Sequence, residues 1–256
     1  MPEGFQKGLV AYFDILGFTA IAASTDIVGA AEFVERELLS IPSKIQDEVK
    51  RKRGPLDRSD THSVIFADSI LIWYSVPERE FCEGLHWHYF FSICSRFMQR
   101  MFENGLPLRG AISAGEFFIK DHCFVGKPIT DCHELAARTE WAGCTIVRGA
   151  QEELEKTNPD WETILEQDCV PYRVPFKEDQ LANAKTTPSL VLKWHHFGAW
   201  HPNGPMPDIR ENVHRSFKAH EKAFPENAAL KARNTIAFLE FVSTLYVNSN
   251  AKKCER

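Results

Sequence analysis

Apolar residues follow two different spacings along the chain, and the change between them predicts the order of strands and helices. Short apolar runs predict buried strands, whereas apolar residues three or four positions apart predict helices. A tight turn is indicated at Ala67-Asp68-Ser69, where one apolar run stops and another begins. The predicted strands are residues 8–16, two strands within 62–75, 107–119 with a glycine-containing turn or bulge, and 144–148; the predicted helices are residues 28–53 (split by Pro42 and ended by Gly54-Pro55), 80–103, 130–142 and 150–157.

The predicted order strand-helix-strand-strand-helix-strand is that of a ferredoxin-like α+β fold, an α/β sandwich built on one sheet. Residues 8–150 account for this core. Residues 158–225 are rich in Pro, His and Trp, and we interpret residues 158–250 as an extension packed on the core that ends in a helix. No repeat, low-complexity segment or linker interrupts the sequence, so residues 1–256 are predicted to form a single domain. The elements predicted in the extension are strands near 170–176 and 189–194 and a final helix at 226–247.

Composition restricts the class of protein. The chain has 256 residues, 44% of them hydrophobic and 25% charged, which suits one globular domain. The net charge of −5 gives no general attraction to nucleic acid, and we interpret the basic run Lys50–Arg53 as a solvated helix end rather than a phosphate site. No stretch has the length and pattern of a membrane span or a signal peptide. The seven cysteines are odd in number and have no CxxC spacing, which favours a reducing, cytoplasmic location.

Two aspartates interrupt apolar strand patterns. Asp14 lies in the run Tyr12–Thr19 (YFDILGFT), and Asp68 lies in the run Ile65–Tyr74 (IFADSILIWY). A buried carboxylate is costly unless a cation or a hydrogen-bond network compensates it. In a ferredoxin-like sheet the first strand lies beside the following hairpin, so the two carboxylates can face each other and hold two divalent ions, Mn²⁺ or Mg²⁺, against a triphosphate. For either aspartate taken alone, a role as a simple turn cap stays open.

Four motifs resemble, in the same order, those of the class III nucleotidyl cyclases. Residues 13–19 are similar to the first metal motif of that family, and residues 67–71 to the second, with Ala67 where a glycine is usual. Residues 108–116 (LRGAISAGE) resemble the glycine-containing strand of the family. Residues 126–140 resemble the helix that carries its transition-state arginine. The resemblance implies a class III cyclase core with a C-terminal extension.

Within that family the chain looks like the pyrimidine cyclases of bacterial Pycsar anti-phage defence. These are stand-alone cyclases of about this length, and they share the Leu-Arg-Gly-Ala-Ile style of strand and the element Val170–Pro175 (VPYRVP). Asn234-Thr235 in the last predicted helix is also similar. The resemblance implies a homodimer that makes cyclic UMP from UTP or, alternatively, cyclic CMP from CTP, with UTP favoured. The product is then a second messenger that activates a separate effector protein in antiviral defence.

The resemblance also implies roles for individual residues. Asp14 and Asp68 would hold both metal ions, together with the backbone carbonyl of Ile15. Arg138, from the opposite subunit, would neutralise charge on the α-phosphate in the transition state. Arg109 would contact the nucleotide or would instead pair with a structural carboxylate. The residues expected to bind the nucleotide are Phe13, Gly17, Phe18, Thr19, Arg109 and Glu134.

Two positions depart from the pattern of adenylyl and guanylyl cyclases. Val64, four residues before Asp68, stands where those enzymes read the base with Lys or Glu, and Glu134 stands where they position the ribose with Asn. Both departures fit a pocket rebuilt for a smaller base, and both leave open a catalytically inactive sensor that binds a nucleotide. A diguanylate cyclase is disfavoured, because the turn at Asp68 is not of the Gly-Gly-Asp/Glu-Glu-Phe type.

Two aromatic-rich segments invite functional interpretations that we do not favour. Residues 194–201 hold three histidines and two tryptophans, but no cysteine or carboxylate completes a familiar zinc-ligand spacing. We therefore interpret that segment as a packed aromatic surface. The aromatic stripe of residues 81–102 is interpreted as core or dimer interface rather than as a base-stacking site.

Overall fold

The computed structural model describes the strands and helices that carry these motifs. It describes residues 4–24, 28–29, 32, 35–36, 44–45, 61–76, 84–121, 123–177, 188–195, 208–220 and 224–254. Numbered in chain order within those residues, the strands are β1 (Phe5–Ile15), β2 (Thr61–Phe66), β3 (Ser69–Ser75), β4 (Leu108–Lys120), β5 (Cys123–Val125), β6 (Gly143–Ile146), β7 (Cys169–Tyr172) and β8 (Ser189–Leu192). The helices are α1 (Phe18–Ser24), α2 (Gly84–Glu103), α3 (Lys127–Ala137), α4 (Arg148–Thr157), α5 (Trp161–Asp168), α6 (Ile209–Lys218) and α7 (Glu226–Cys254).

A single sheet contains all the described strands. Its order is β2-β3-β1-β4-β6-β8-β7, and β5 pairs with β4 outside that path. The pairings among β2, β3, β1 and β4 are all antiparallel. Since α1 separates β1 from β2 in the chain and α2 separates β3 from β4, these elements form the split βαβ arrangement. The predicted ferredoxin-like α+β core is therefore confirmed.

The C-terminal extension enlarges this sheet rather than only packing on the core. Strand β6 runs parallel to β4, and β8 pairs with β6 through Thr145 and Val191. Strand β7 then pairs antiparallel with β8. Side chains from both parts of the chain contribute to one hydrophobic cluster, so the extension is continuous with the core that carries the cyclase-like motifs.

One face of β1 lies in the main hydrophobic core. The odd-numbered residues from Leu9 to Ile15 are buried there, because side chains alternate between the two faces of a strand. The aromatic side of α2 packs against them, and the ring centroids of Phe13 and Phe97 are 5.6 Å apart. The aromatic stripe predicted within residues 81–102 is thus part of the core, as far as it is described: Trp87, Phe90, Phe91, Phe97 and Phe102 are buried.

The even-numbered residues of β1 face the other side of the sheet, where α3 packs. The Cys132 thiol of α3 donates to the Val10 carbonyl at 3.6 Å. Next to it, the rings of Tyr12 and His133 meet edge to face with centroids 5.1 Å apart. Asp14 follows on this same face, beyond the part that α3 covers with these contacts.

The helix predicted at residues 130–142 begins and ends earlier in the structure. Pro128 lies in the first turn of α3, where a residue without an N–H donor is well tolerated. After the helix ends, the main chain turns and bonds to residues 175–177. The sequence predicted Trp141 in the apolar stripe of this helix, and that prediction is wrong, because the helix ends at Ala137. Trp141 is buried and stacks on Tyr172 with ring centroids 5.4 Å apart.

The remaining predicted elements differ from the described ones by a few residues. The hairpin turns at Ala67-Asp68, as predicted, and the helix predicted from residue 80 is described from Gly84. The helices predicted within residues 28–53 lie largely outside the described residues, as does the basic run Lys50–Arg53. Helix α7 continues to Cys254, beyond the predicted end. Although it has 29 residues, neither it nor any other described helix is long and apolar enough to cross a membrane.

Candidate functional site

Three strands bring Asp14, Asp68 and Arg109 together at one end of the sheet. Asp14 is the next-to-last residue of β1, and it pairs with Ser69 of β3 on one side and with Arg109 of β4 on the other. The main-chain N–H of Ile15 donates to the Asp68 carbonyl at 2.9 Å, which holds the β2–β3 turn against the end of β1. The order of the sheet thus places a carboxylate from a turn beside a carboxylate from a strand.

The Asp14 carboxylate lies between a positive and an acidic neighbour. The Arg109 Nε–H donates to Asp14 Oδ2 at 2.6 Å, and 18% of the Arg109 side chain and 15% of the Asp14 side chain are exposed. Asp68 is close enough to hydrogen-bond with Asp14. Burial raises the pKa of Asp14 above its ordinary 3.8; Arg109 opposes that rise, and the charge of Asp68 adds to it. The negative charge of the pair is therefore incompletely compensated by Arg109.

The donor set suits a hard divalent cation. Carboxylate and carbonyl oxygens are the ligands that Mg²⁺ and Mn²⁺ prefer, and Mg²⁺ is commonly held by one or two carboxylates plus substrate phosphates. Among the described residues, no group of three or more His, Cys, Asp or Glu side chains is arranged to hold a metal. An ion bound by Asp14 and Asp68 would complete its coordination with main-chain oxygens, such as the predicted Ile15 carbonyl, and with substrate and water.

Arg138 lies at the C-terminal end of α3, where it is the capping residue. Its guanidinium is 3.5 Å from the Glu134 carboxylate one turn earlier, and these side chains are 52% and 57% exposed. The residue after it is tied to the acidic pair, because the Arg109 Nη1–H donates to the Thr139 carbonyl at 3.4 Å. About half of the Arg138 side chain is therefore accessible from outside the chain.

The other predicted nucleotide-binding residues lie where β1 leads into α1. Phe13 is fully buried in the main core, on the face of β1 opposite to Asp14, which limits its predicted nucleotide contact to the main chain. Gly17 has φ 81°, a conformation that favours glycine, and its carbonyl accepts the Ala20 N–H at 3.1 Å. Thr19 is exposed, whereas Phe18 is half-buried and packs against the core.

Tyr12 is a residue of this face that the sequence analysis missed. Its hydroxyl oxygen lies 2.6 Å from Ser69 Oγ, beside the position where β3 pairs with Asp14. Burial raises the pKa of Tyr12; the Ser69 hydrogen bond lowers it, and the charges of Asp14 and Asp68 raise it. The two-residue alternation of a strand was the available signal, since it places Tyr12 on the same face as Asp14.

The His- and Trp-rich segment is described only as far as His195. Trp194 is buried and packs against Phe102 with ring centroids 5.1 Å apart, and His195 meets the Trp194 ring edge to face at 5.7 Å. This part of the segment is packed aromatic structure, as predicted. His196 and His201 lie outside the described residues.

No protein-family profile and no curated protein sequence matches the chain. Among solved structures, the catalytic core of a rhodopsin-guanylyl cyclase with converted specificity, in complex with ATPαS, is 11% identical, with a TM-score of 0.48 over 73% of this chain and 96% of that one. A class III adenylyl cyclase-like ATP-binding protein from Pseudomonas aeruginosa is 15% identical, with a TM-score of 0.47 over 62% of this chain and 37% of that one. A bacterial light-regulated adenylyl cyclase is 11% identical, with a TM-score of 0.42 over 58% and 44%.

Proposed function

We propose that this protein is a nucleotidyl cyclase that converts UTP to 3′,5′-cyclic UMP and pyrophosphate. The observation that carries the proposal is the pair of adjacent carboxylates, Asp14 and Asp68, at the end of β1. In the reaction the ribose 3′-oxygen bonds to the α-phosphorus, the bond from that phosphorus to the pyrophosphate oxygen breaks, and the 3′ proton leaves to water. Mn²⁺ or Mg²⁺ ions bound by the two aspartates would neutralise the triphosphate and acidify the 3′-hydroxyl.

Two arginines have distinct roles in this proposal. Arg109 orients the Asp14 carboxylate through its 2.6 Å hydrogen bond and supplies positive charge beside the triphosphate. Arg138 stabilises the charge that develops on the α-phosphate in the transition state. Since arginines in this role contribute about 10³ or more in rate, Arg138→Ala should lower kcat by about that factor.

The apolar side chain of Val64 supports a nucleotide substrate with a small base. Val64 of β2 pairs with Leu71 of β3 and packs with Val10 in the smaller hydrophobic cluster of the Asp14 face. A base edge that meets Val64 finds no hydrogen-bond partner in that side chain. We therefore propose a pyrimidine substrate, with UTP first and CTP as the alternative.

We propose that the active enzyme is a homodimer with composite sites. Phe66, at the end of β2 beside the Asp68 turn, is 81% exposed. An exposed apolar side chain beside the proposed site supports a partner surface there, and the outward guanidinium of Arg138 would serve the partner's acidic pair.

Complementation tests the composite site. Asp68→Asn and Arg138→Ala are each expected to abolish most activity when assayed alone. In a mixture, about half of the dimers are mixed, and one of the two sites in each mixed dimer has both residues, so about a quarter of wild-type activity should return. A mixture as inactive as its parts, with mixed dimers shown by native mass spectrometry, would contradict composite sites.

The substrate is tested directly with the purified protein. Incubation with Mn²⁺ and each of the four nucleoside triphosphates, followed by mass spectrometry, should give cyclic UMP from UTP. Asp68→Asn should give none, whereas Asp131→Asn, which alters an exposed ion pair with Lys127 on α3, should retain activity. Cyclic CMP as the main product would select the alternative substrate, and a main product of cyclic AMP or cyclic GMP would refute the pyrimidine assignment. No product from any triphosphate would favour a nucleotide-binding sensor.

The proposed biological role is a second messenger in anti-phage defence, read by a separate effector protein. The support is the similarity of the extension element Val170–Pro175 to that of the defence cyclases. Cells that express the wild-type protein should accumulate cyclic UMP on phage infection, and cells that express Asp68→Asn should not. Equal nucleotide levels with and without infection would argue against this role.

A further inference from the structure

The turn that follows α3, residues 138–142, is bonded to a distant part of the chain. The Lys177 main-chain N–H donates to the Arg138 carbonyl at 2.9 Å, and the Glu140 N–H donates to the Pro175 carbonyl at 2.8 Å. Between them, Thr139 and Phe176 form an isolated antiparallel bridge. Residues 175–177 thus lie along the turn like a short added strand.

Helix α7 holds the same turn with two adjacent side chains. The Asn234 Nδ2–H donates to the Glu140 carbonyl at 2.7 Å, and the Ala142 N–H donates to Thr235 Oγ1 at 2.8 Å. The Lys231 ammonium lies 3.7 Å from the Glu140 carboxylate, with both side chains largely buried. The turn therefore depends on contacts from both halves of the extension.

These contacts are needed because three of the five turn residues, Thr139, Trp141 and Ala142, are buried. Thr139 and Thr235 are fully buried, and Ala142 is 1% exposed. Buried main-chain groups must be paired, so each lost contact leaves a group that water cannot satisfy. Trp141 anchors the turn further: its ring contacts those of Tyr172 and Phe238, with centroids at 5.4 and 4.9 Å, and these two rings also contact each other.

The turn is also linked to the acidic pair. Arg109 bridges Asp14 and the Thr139 carbonyl, at 2.6 and 3.4 Å. The main chain of Arg138 is consequently fixed from the sheet and from the extension, while its guanidinium remains exposed.

We propose that residues 175–177, Asn234 and Thr235 form a clamp that positions Arg138 for catalysis. This inference rests on the proposed cyclase function and assigns the extension a role in it. The clamp residues are positioning residues, since they act through the main chain of Arg138 and not on the substrate. Loss of the clamp contacts is expected to lower kcat, because displacing a catalytic group by about 1 Å can lower the rate about 100-fold.

A matched pair of substitutions at Thr235 tests the clamp. Thr235→Val keeps the shape but removes the oxygen that accepts the Ala142 N–H, whereas Thr235→Ser keeps that oxygen. We expect Thr235→Val to lower kcat at least about tenfold with KM within about twofold, as for an interaction made only in the transition state, and Thr235→Ser to stay near wild type. Thr244→Val is the control, because it removes a hydroxyl of the same helix that donates to the Phe241 carbonyl at an exposed site.

Hydrogen exchange and a double-mutant cycle separate positioning from loss of fold. In Thr235→Val, amide exchange should accelerate within residues 138–142 and remain slow in β1 and β4. In an Arg138→Ala background, Thr235→Val should cause no further loss of kcat, since the clamp acts through that arginine. Losses that multiply in the double variant, or an unchanged kcat despite faster exchange in the turn, would overturn the proposal. A wild-type protein that makes no cyclic nucleotide would refute the proposed function itself, before the clamp is tested.

Discussion

Replacing Ala67 with glycine should stabilise the protein, although it removes a methyl group. Ala67 and Asp68 form a two-residue turn closed by the pair Phe66 and Ser69. Ala67 has φ 53°, whereas Asp68 does not take a positive φ, and this is the pattern of a type II′ turn, which favours glycine at its first central position. An L-residue with positive φ destabilises the folded chain by roughly 1–2 kcal/mol. Glycine avoids that cost but destabilises the folded state by about 0.5–1 kcal/mol, because it loses more conformational freedom on folding.

The net expectation for Ala67→Gly is about 1 kcal/mol of added stability, or about 2–4 °C in Tm for a chain of this size. Urea unfolding followed by circular dichroism measures it. Ala237→Gly is the matched control, because Ala237 is exposed in the middle of α7 and should lose about 1 kcal/mol. If Ala67→Gly is neutral or destabilising while Ala237→Gly behaves as expected, the positive φ at Ala67 does not strain the turn.

Three further predictions concern the site, the sheet and the cysteines. Asp68→Asn should lower the pKa of Asp14, because the Asp68 charge raises it; carboxyl NMR titration measures this, and an unchanged pKa would refute the coupling. Gly110→Ala should destabilise the fold by about 1–3 kcal/mol in urea unfolding, because the added Cβ would lie 2.3 Å from the Phe13 ring, and a neutral effect would contradict that close packing. Iodoacetamide should modify the exposed Cys123 in the native protein. Four buried cysteines should react only on unfolding: Cys94, Cys132, Cys144 and Cys169. Modification of any of them in the native protein, detected by peptide mass spectrometry, would contradict this prediction.

The two acidic residues of the site could be predicted from the residues next to them in the sequence. An apolar run broken by a charge identified Asp14, and a second run with a turn identified Asp68, because strand periodicity and turn chemistry are encoded within a few residues. The same periodicity would also have placed Phe13 in the core and Tyr12 on the site face. The end of α3 could not be read in this way, since the apolar residue Trp141 continued the helix pattern while its true neighbours lie in the extension.

The pattern of residues along the chain was enough to predict the order of the core strands, the tight turn at Asp68 and the two acidic positions, whereas β5, α5 and α6 were not predicted. Which groups meet at the site is set by the folded chain. Arg109 and Asp14 are 95 positions apart, and Thr235 and Ala142 are 93 apart. Such pairs depend on the register of the strands and on the packing of α7, which arise when the whole core is buried together. Local spacing carries no information about them, and so the neighbours of Asp14 and the clamp on Arg138 appear only in the fold.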